Sequence, residues 1–105
     1  MDSKYLIIQN SFTQLIHRVN TSSLSVKEKN LVIERIRGVD VALLEGVCKQ
    51  SLRPLTTTNL LYIICFFAGI ETKIIALIFA IELGTVYSVR YRLRAYFSSN
   101  VILPF

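Results

Sequence analysis

LTTTNLLYIICFFAGIETKIIALIFAIELGTVYSVRYRLRAYF, residues 55–97, is the stretch whose reading decides the fold. From Thr56 the character turns apolar, and Leu60 to Ala68 is apolar on every side, as in a helix buried over most of its surface. Gly69 is placed to take the left-handed conformation that terminates a helix. Glu71 to Phe79 then predicts a short helix, with Glu71 near its positive end. Ala80 to Leu83 is the expected turn, and Gly84 to Phe97 the third helix. That succession is the outline of a helix-turn-helix.

The last of these helices divides cleanly by face. With Val86 at the centre of the inward side, Val89, Leu93 and Phe97 fall on the same stripe. Tyr87, Ser88, Tyr91 and Arg94 then point mainly outward, with Thr85 and Arg92 on the opposite flank. Arginines suit phosphates or guanine edges, and hydroxyls suit phosphate or base contacts, so this face has the chemistry of a major-groove reader. Arg90 falls beside the apolar stripe, where its stem is expected to snorkel rather than reach a base.

Leu55-Thr56, Gly69, Lys73, Ile75-Ala76, Phe79, Ile81, Val86 and the run Arg90-Tyr-Arg-Leu-Arg94 resemble the LuxR-type (tetrahelical) DNA-binding domain of bacterial transcriptional regulators. The resemblance covers residues 55–97. It implies that Leu55 to Ala68 supports, Glu71 to Phe79 positions and Gly84 to Phe97 reads DNA. By the same likeness Lys73 lies near a phosphate, and Tyr87, Ser88 and Tyr91 occupy base-facing positions. Members of that family commonly dimerise on two half-sites about one helical turn apart. The chain departs from the family pattern at Asn59, Ile74, Glu82, Ala95 and Tyr96, each where a polar, capping or cationic residue is usual.

Upstream, Asp2 or Ser3 is a candidate cap for a first helix, whose apolar face is Tyr5, Ile8, Phe12, Leu15, Ile16 and Val19. Asn20-Thr-Ser-Ser breaks it. Ser25-Val-Lys-Glu28 matches a capping box, so a second helix starts at Val26. Val32, Ile36, Val39, Leu43 and Val47 continue one stripe to about Gln50, with a kink expected at Gly38. Pro54 ends the segment. The tail SSNVILPF carries no element of its own, although its apolar residues have reason to dock.

The chain is therefore expected to be all-α: a small helical bundle with a C-terminal helix-turn-helix preceded by two N-terminal helices. Residues 1–53 form the N-terminal arm, a possible dimerisation element, and 54–105 the LuxR-like domain. Hydrophobic residues make up 52% of the chain and charged ones 18%, an apolar excess for 105 residues that points to a second copy as a covering partner. The net charge of +5 favours an anionic partner. From Gly84 onward there are Arg90, Arg92 and Arg94 and no acid at all.

Nothing in the chain suggests chemistry. Cys48 and Cys65 sit among apolar neighbours without metal-ligand spacing and read as reduced core residues of a cytosolic protein. His17 stands alone, the carboxylates are scattered, and there is no phosphate loop or nucleophile motif. No secretory signal opens the sequence. No enzyme, cofactor, metal or small-molecule ligand is expected. The DNA-facing residues are Lys73, Thr85, Tyr87, Ser88, Tyr91, Arg92 and Arg94, the partner is double-stranded DNA, and the protein is expected to be a cytoplasmic homodimer.

Two other readings fit parts of the chain. A diverged helix-turn-helix could serve as a homo-oligomeric interaction module without DNA. A membrane-associated protein is the other, because Leu60 to Leu83 is long enough to span. Glu71 and Lys73 near its centre cost about 2.5–3.5 kcal/mol each, roughly cancelling the apolar gain. Splitting that run into two helices leaves each half short of the ~20 residues a crossing needs.

Overall fold

The first helix, α1 (Ser3–Thr21), buries one stripe along its length: Ile8, Ser11, Leu15 and Val19, with Phe12 and Ile16 half-buried beside them. Ser11 is fully buried, and its hydroxyl donates to the Ile7 carbonyl at 2.7 Å, which removes the cost of placing a polar group there. The computed structural model describes residues 3–105, with side chains from Ile7 onward. The capping expected of Asp2 or Ser3 and the inward place expected of Tyr5 fall outside the described side chains.

Helix α2 (Val26–Arg37) begins with the capping box that its sequence predicts. The Glu28 amide donates to Ser25 Oγ and the Ser25 amide donates to Glu28 Oε1, each at 3.1 Å. The Ser25 amide, and after it the Ser25 hydroxyl, hold the Glu28 carboxyl below the usual carboxylate range. The helix does not run on to Gln50. It stops before Gly38, and Asp40 starts a new one, α3 (Val41–Cys48), by accepting the Leu43 amide at 3.1 Å. Three N-terminal helices therefore precede the helix-turn-helix, where the continuous apolar stripe suggested two.

The break also disturbs the stripe at one position. Val32 and Ile36 on α2 and Val47 on α3 are buried as expected, and Leu44 joins Val47 on the inward side of α3. Leu43, expected on the stripe, is exposed. Leu44 takes the inward place expected of Leu43, while Val47 keeps its own.

Helix α4 (Thr57–Phe67) is the hub of the molecule. Thr56 caps it by accepting the Asn59 amide at 3.1 Å, and every residue from Leu60 to Phe66 is buried. A helix without a wet face needs neighbours all round; α1 lies on one side and α6 on another. Helix α5 (Thr72–Phe79) and helix α6 (Leu83–Arg94) complete the bundle, and among the described residues there is no strand. The last helix is shorter than expected, ending at Arg94, so that Phe97 is buried beyond its end rather than within it.

One core runs through the whole set, from Ile8 on α1 to Leu93 on α6. Its aromatic seam joins three helices: the Tyr62 and Phe79 rings stack at 4.1 Å, and the Arg18 guanidinium lies 5.0 Å from the Phe79 ring centre. The tail docks through Phe105, whose ring is 5.0 Å from that of Phe66, while Ile102 stays in water. Both cysteines are free; Cys65 is buried in α4 and Cys48 is half-buried. Among the described residues no single helix is long and apolar enough to cross a membrane.

Candidate nucleic-acid interface

Helices α5 and α6 are joined by Ala80-Ile81-Glu82 and cross at 103°, within the ~90–120° and three- to four-residue turn of helix-turn-helix units. Backbone geometry at the end of α5 sets that angle. Ala80 is left-handed, with φ 54° and ψ 48°. Its amide donates to the Leu77 carbonyl at 3.3 Å, and the Ile81 amide reaches back to the Ala76 carbonyl at 3.0 Å. This is a Schellman turn, and the same pair of bonds ends α4, where Gly69 (φ 68°) donates to Phe66 and Ile70 to Cys65. The left-handed Gly69 was legible in the sequence; the left-handed Ala80 was not, because alanine gives no such signal.

Helix α6 buries Val86, Val89 and Leu93 and leaves Thr85, Tyr87, Ser88, Tyr91, Arg92 and Arg94 exposed. Six of the seven sequence-selected residues thus share one wet surface about 18 Å long, a length suited to a major groove about 12 Å wide. Tyr91 is 79% exposed and Tyr87 54%. The Ser88 hydroxyl donates to the Gly84 carbonyl at 3.2 Å, which leaves its oxygen free to accept. Lys73 is exposed but stands apart in the first turn of α5, close enough to Glu28 of α2 to lower that carboxyl.

Arg90 does something different from its two neighbours in the run. Its guanidinium lies 4.9 Å from the Phe66 ring centre and 5.9 Å from that of Tyr87, and one terminal nitrogen donates to Thr72 Oγ1 at 3.4 Å. The head group is stacked into the α4–α5–α6 junction, and Nε is buried with no hydrogen-bond partner. Arg92 and Arg94 stay in solvent. Among the described residues the ion pair within 4 Å is Lys49–Glu45, so neither of these arginines is neutralised by a carboxylate.

The start of α6 lacks a side-chain cap, since Glu82 stands where a serine or threonine would accept an orphan amide. Its carboxylate is exposed at the same end of the helix as Thr85. Arg53 was missed in the sequence because it lies in the linker before Pro54, where no periodicity operates; it comes to rest 5.2 Å from the Tyr96 ring centre, beside the end of α6. Among the described residues no group of three His, Cys, Asp or Glu side chains is arranged to hold a metal. An apolar groove of about 450 Å³ opens between the start of α1, the end of α3 and the linker, lined by Ile8, Cys48, Leu52, Leu55 and Leu60 among others. No protein family, curated protein or solved structure matches the chain.

Proposed function

We propose that this protein binds double-stranded DNA as a transcriptional regulator, laying α6 in the major groove. The observation that carries the reading is the 103° crossing of α5 and α6, with one face of α6 buried and the other carrying Tyr87, Ser88, Tyr91, Arg92 and Arg94 in water. Arg92, Arg94 and Lys73 supply phosphate attraction, and the hydroxyl-bearing side chains with Thr85 approach base edges. The resemblance of residues 55–97 to the LuxR-type domain supports the same docking. The protein acts in the cytoplasm as a homodimer, a reading supported by the large apolar side chains that one copy leaves in water, among them Leu31, Leu43 and Leu52.

The test is fluorescence anisotropy with a labelled mixed-sequence duplex at about 50 and about 200 mM salt. Micromolar binding that collapses as salt rises is expected. Replacing Arg92 and Arg94 together by alanine is expected to weaken binding to all duplexes and to lower the salt slope by about two. Unchanged affinity and slope in a folded double variant would remove α6 as the docking face. A folded protein that self-associates without any salt-dependent DNA affinity would leave the interaction-module reading in its place.

A further inference from the structure

Helix α6 has two flanks. Tyr87, Arg90 and Arg94 lie on the flank that packs toward Phe66 and Thr72. Arg92 and Tyr96 project on the other, toward the beginning of α4. Between that second flank and α4 is a cleft of about 370 Å³, lined by Arg53, Asn59, Arg92 and Tyr96 over a floor of Val89 and Leu93. No carboxylate among the described residues lines it.

The linker holds Arg53 in place. The Leu52 amide donates to the Tyr96 carbonyl at 2.7 Å, tying residues 51–54 to the end of α6. The Ser51 hydroxyl donates to the Arg53 carbonyl at 2.6 Å and accepts the Arg53 amide at 3.4 Å. The Arg53 head group then rests on the Tyr96 ring. Arg92 lines the cleft from the facing side. Asn59 sits in the first turn of α4, where its backbone amide donates to Thr56 Oγ1, and the residue lines the cleft wall.

Arg53 and Arg92, two cations of like sign lining one concave site without an acid, form an arrangement completed by an anion. Guanidinium matches a phosphate with two parallel N–H donors, an asparagine amide adds another, and the start of α4 adds the positive end of a helix dipole. We propose that this cleft binds a single phosphate group. Resting on the reading of α6 as the DNA-facing helix, that group is a backbone phosphate on the side of the groove away from Arg94. Arg53 and Asn59, neither of them on α6, thereby join the interface.

The test uses the full chain labelled with nitrogen-15. Sodium phosphate, against sodium chloride at matched ionic strength, is expected to give saturable shifts at the Nε–H of Arg53 and Arg92 and at the Asn59 side-chain amide. With a labelled mixed-sequence duplex, Arg53→Ala is expected to lower the salt slope by about one, and Arg53→Lys to restore most of it. Saturable phosphate shifts from a protein that ignores duplex would keep the cleft, assign it to free phosphate and remove only the DNA reading. Duplex binding that survives Arg53→Ala with its slope intact, together with no phosphate-specific shift in the wild-type protein, would overturn the cleft and leave α6 untouched. The phosphate titration needs no variant, so a folding defect in Arg53→Ala does not decide it.

Discussion

The Arg90 guanidinium lies 4.9 Å from the centre of the Phe66 ring, so the first arginine of the Arg90–Arg94 run faces protein and not solvent. Phe66 in turn carries Phe105 on its ring, at 5.0 Å. Three arginines at alternate positions therefore divide between two jobs. Arg90 fixes α6 against α4 and α5, and Arg92 and Arg94 hold charge at the surface.

Arg90→Ala is accordingly expected to destabilise the fold by about 1–2 kcal/mol, through the lost stacking and the lost packing of its stem. Arg92→Ala and Arg94→Ala are expected to change stability by less than about 0.5 kcal/mol, as exposed positions without partners do. Urea unfolding followed by circular dichroism separates the three. Equal effects at all three positions would contradict the division of roles.

The two Schellman turns give opposite expectations. At Ala80 the left-handed backbone costs an L-residue about 1–2 kcal/mol, while glycine gives back about 0.5–1 kcal/mol through its freer unfolded chain. Ala80→Gly should therefore stabilise by about 0.5–1 kcal/mol, raising Tm by a few degrees. Gly69→Ala should destabilise by about 1 kcal/mol, although the nearest side-chain atom to an added Cβ is 3.9 Å away at Arg35. The loss at Gly69 is one of backbone strain, and thermal melts of the two variants should move in opposite directions.

Much of this fold was legible in its sequence because the deciding signals are local. Ser25 and Glu28 form their capping box within four residues, and Gly69 turns left-handed as its place after Leu60–Ala68 demands. Val86, Val89, Leu93 and Phe97 are buried as their spacing predicts. The break after Arg37 was not legible as a full stop, since Gly38 is compatible with a kinked helix and the decisive bond is Asp40 to the Leu43 amide. Arg53 was invisible for a different reason. Its place follows from a bond between Leu52 and Tyr96, far apart along the chain, which no helical period encodes.

The two thiols set an alkaline limit. Burial pushes the Cys65 thiol up to about 12 and the Cys48 thiol up to about 11, from an ordinary 9.0. Above pH 9 the unfolded chain loses these protons while the folded chain keeps them, so the unfolded state gains as pH rises. Stability should be constant with respect to these groups below pH 9 and fall above it, by up to ~1.4 kcal/mol per pH unit for each thiol, until about 11 for Cys48 and about 12 for Cys65. Denaturant midpoints measured from pH 7 to 10.5 test this, and Cys65→Ala should flatten the decline. In the native protein at pH 8, Cys65 should resist a thiol-specific reagent that modifies it readily in urea.

The stack of Arg18 on Phe79 on Tyr62 decides where the chain can be cut. Each member comes from a different helix, and the one on α1 lies far upstream of residue 54. A fragment that began at Leu55 would leave Tyr62 and Phe79 bare on the side that α1 now covers. Anyone grafting the α5–α6 unit onto another protein would have to carry α1 with it, or rebuild that aromatic seam with polar side chains. The portable module is thus set by a cation sitting on a ring and not by the boundary of a sequence motif.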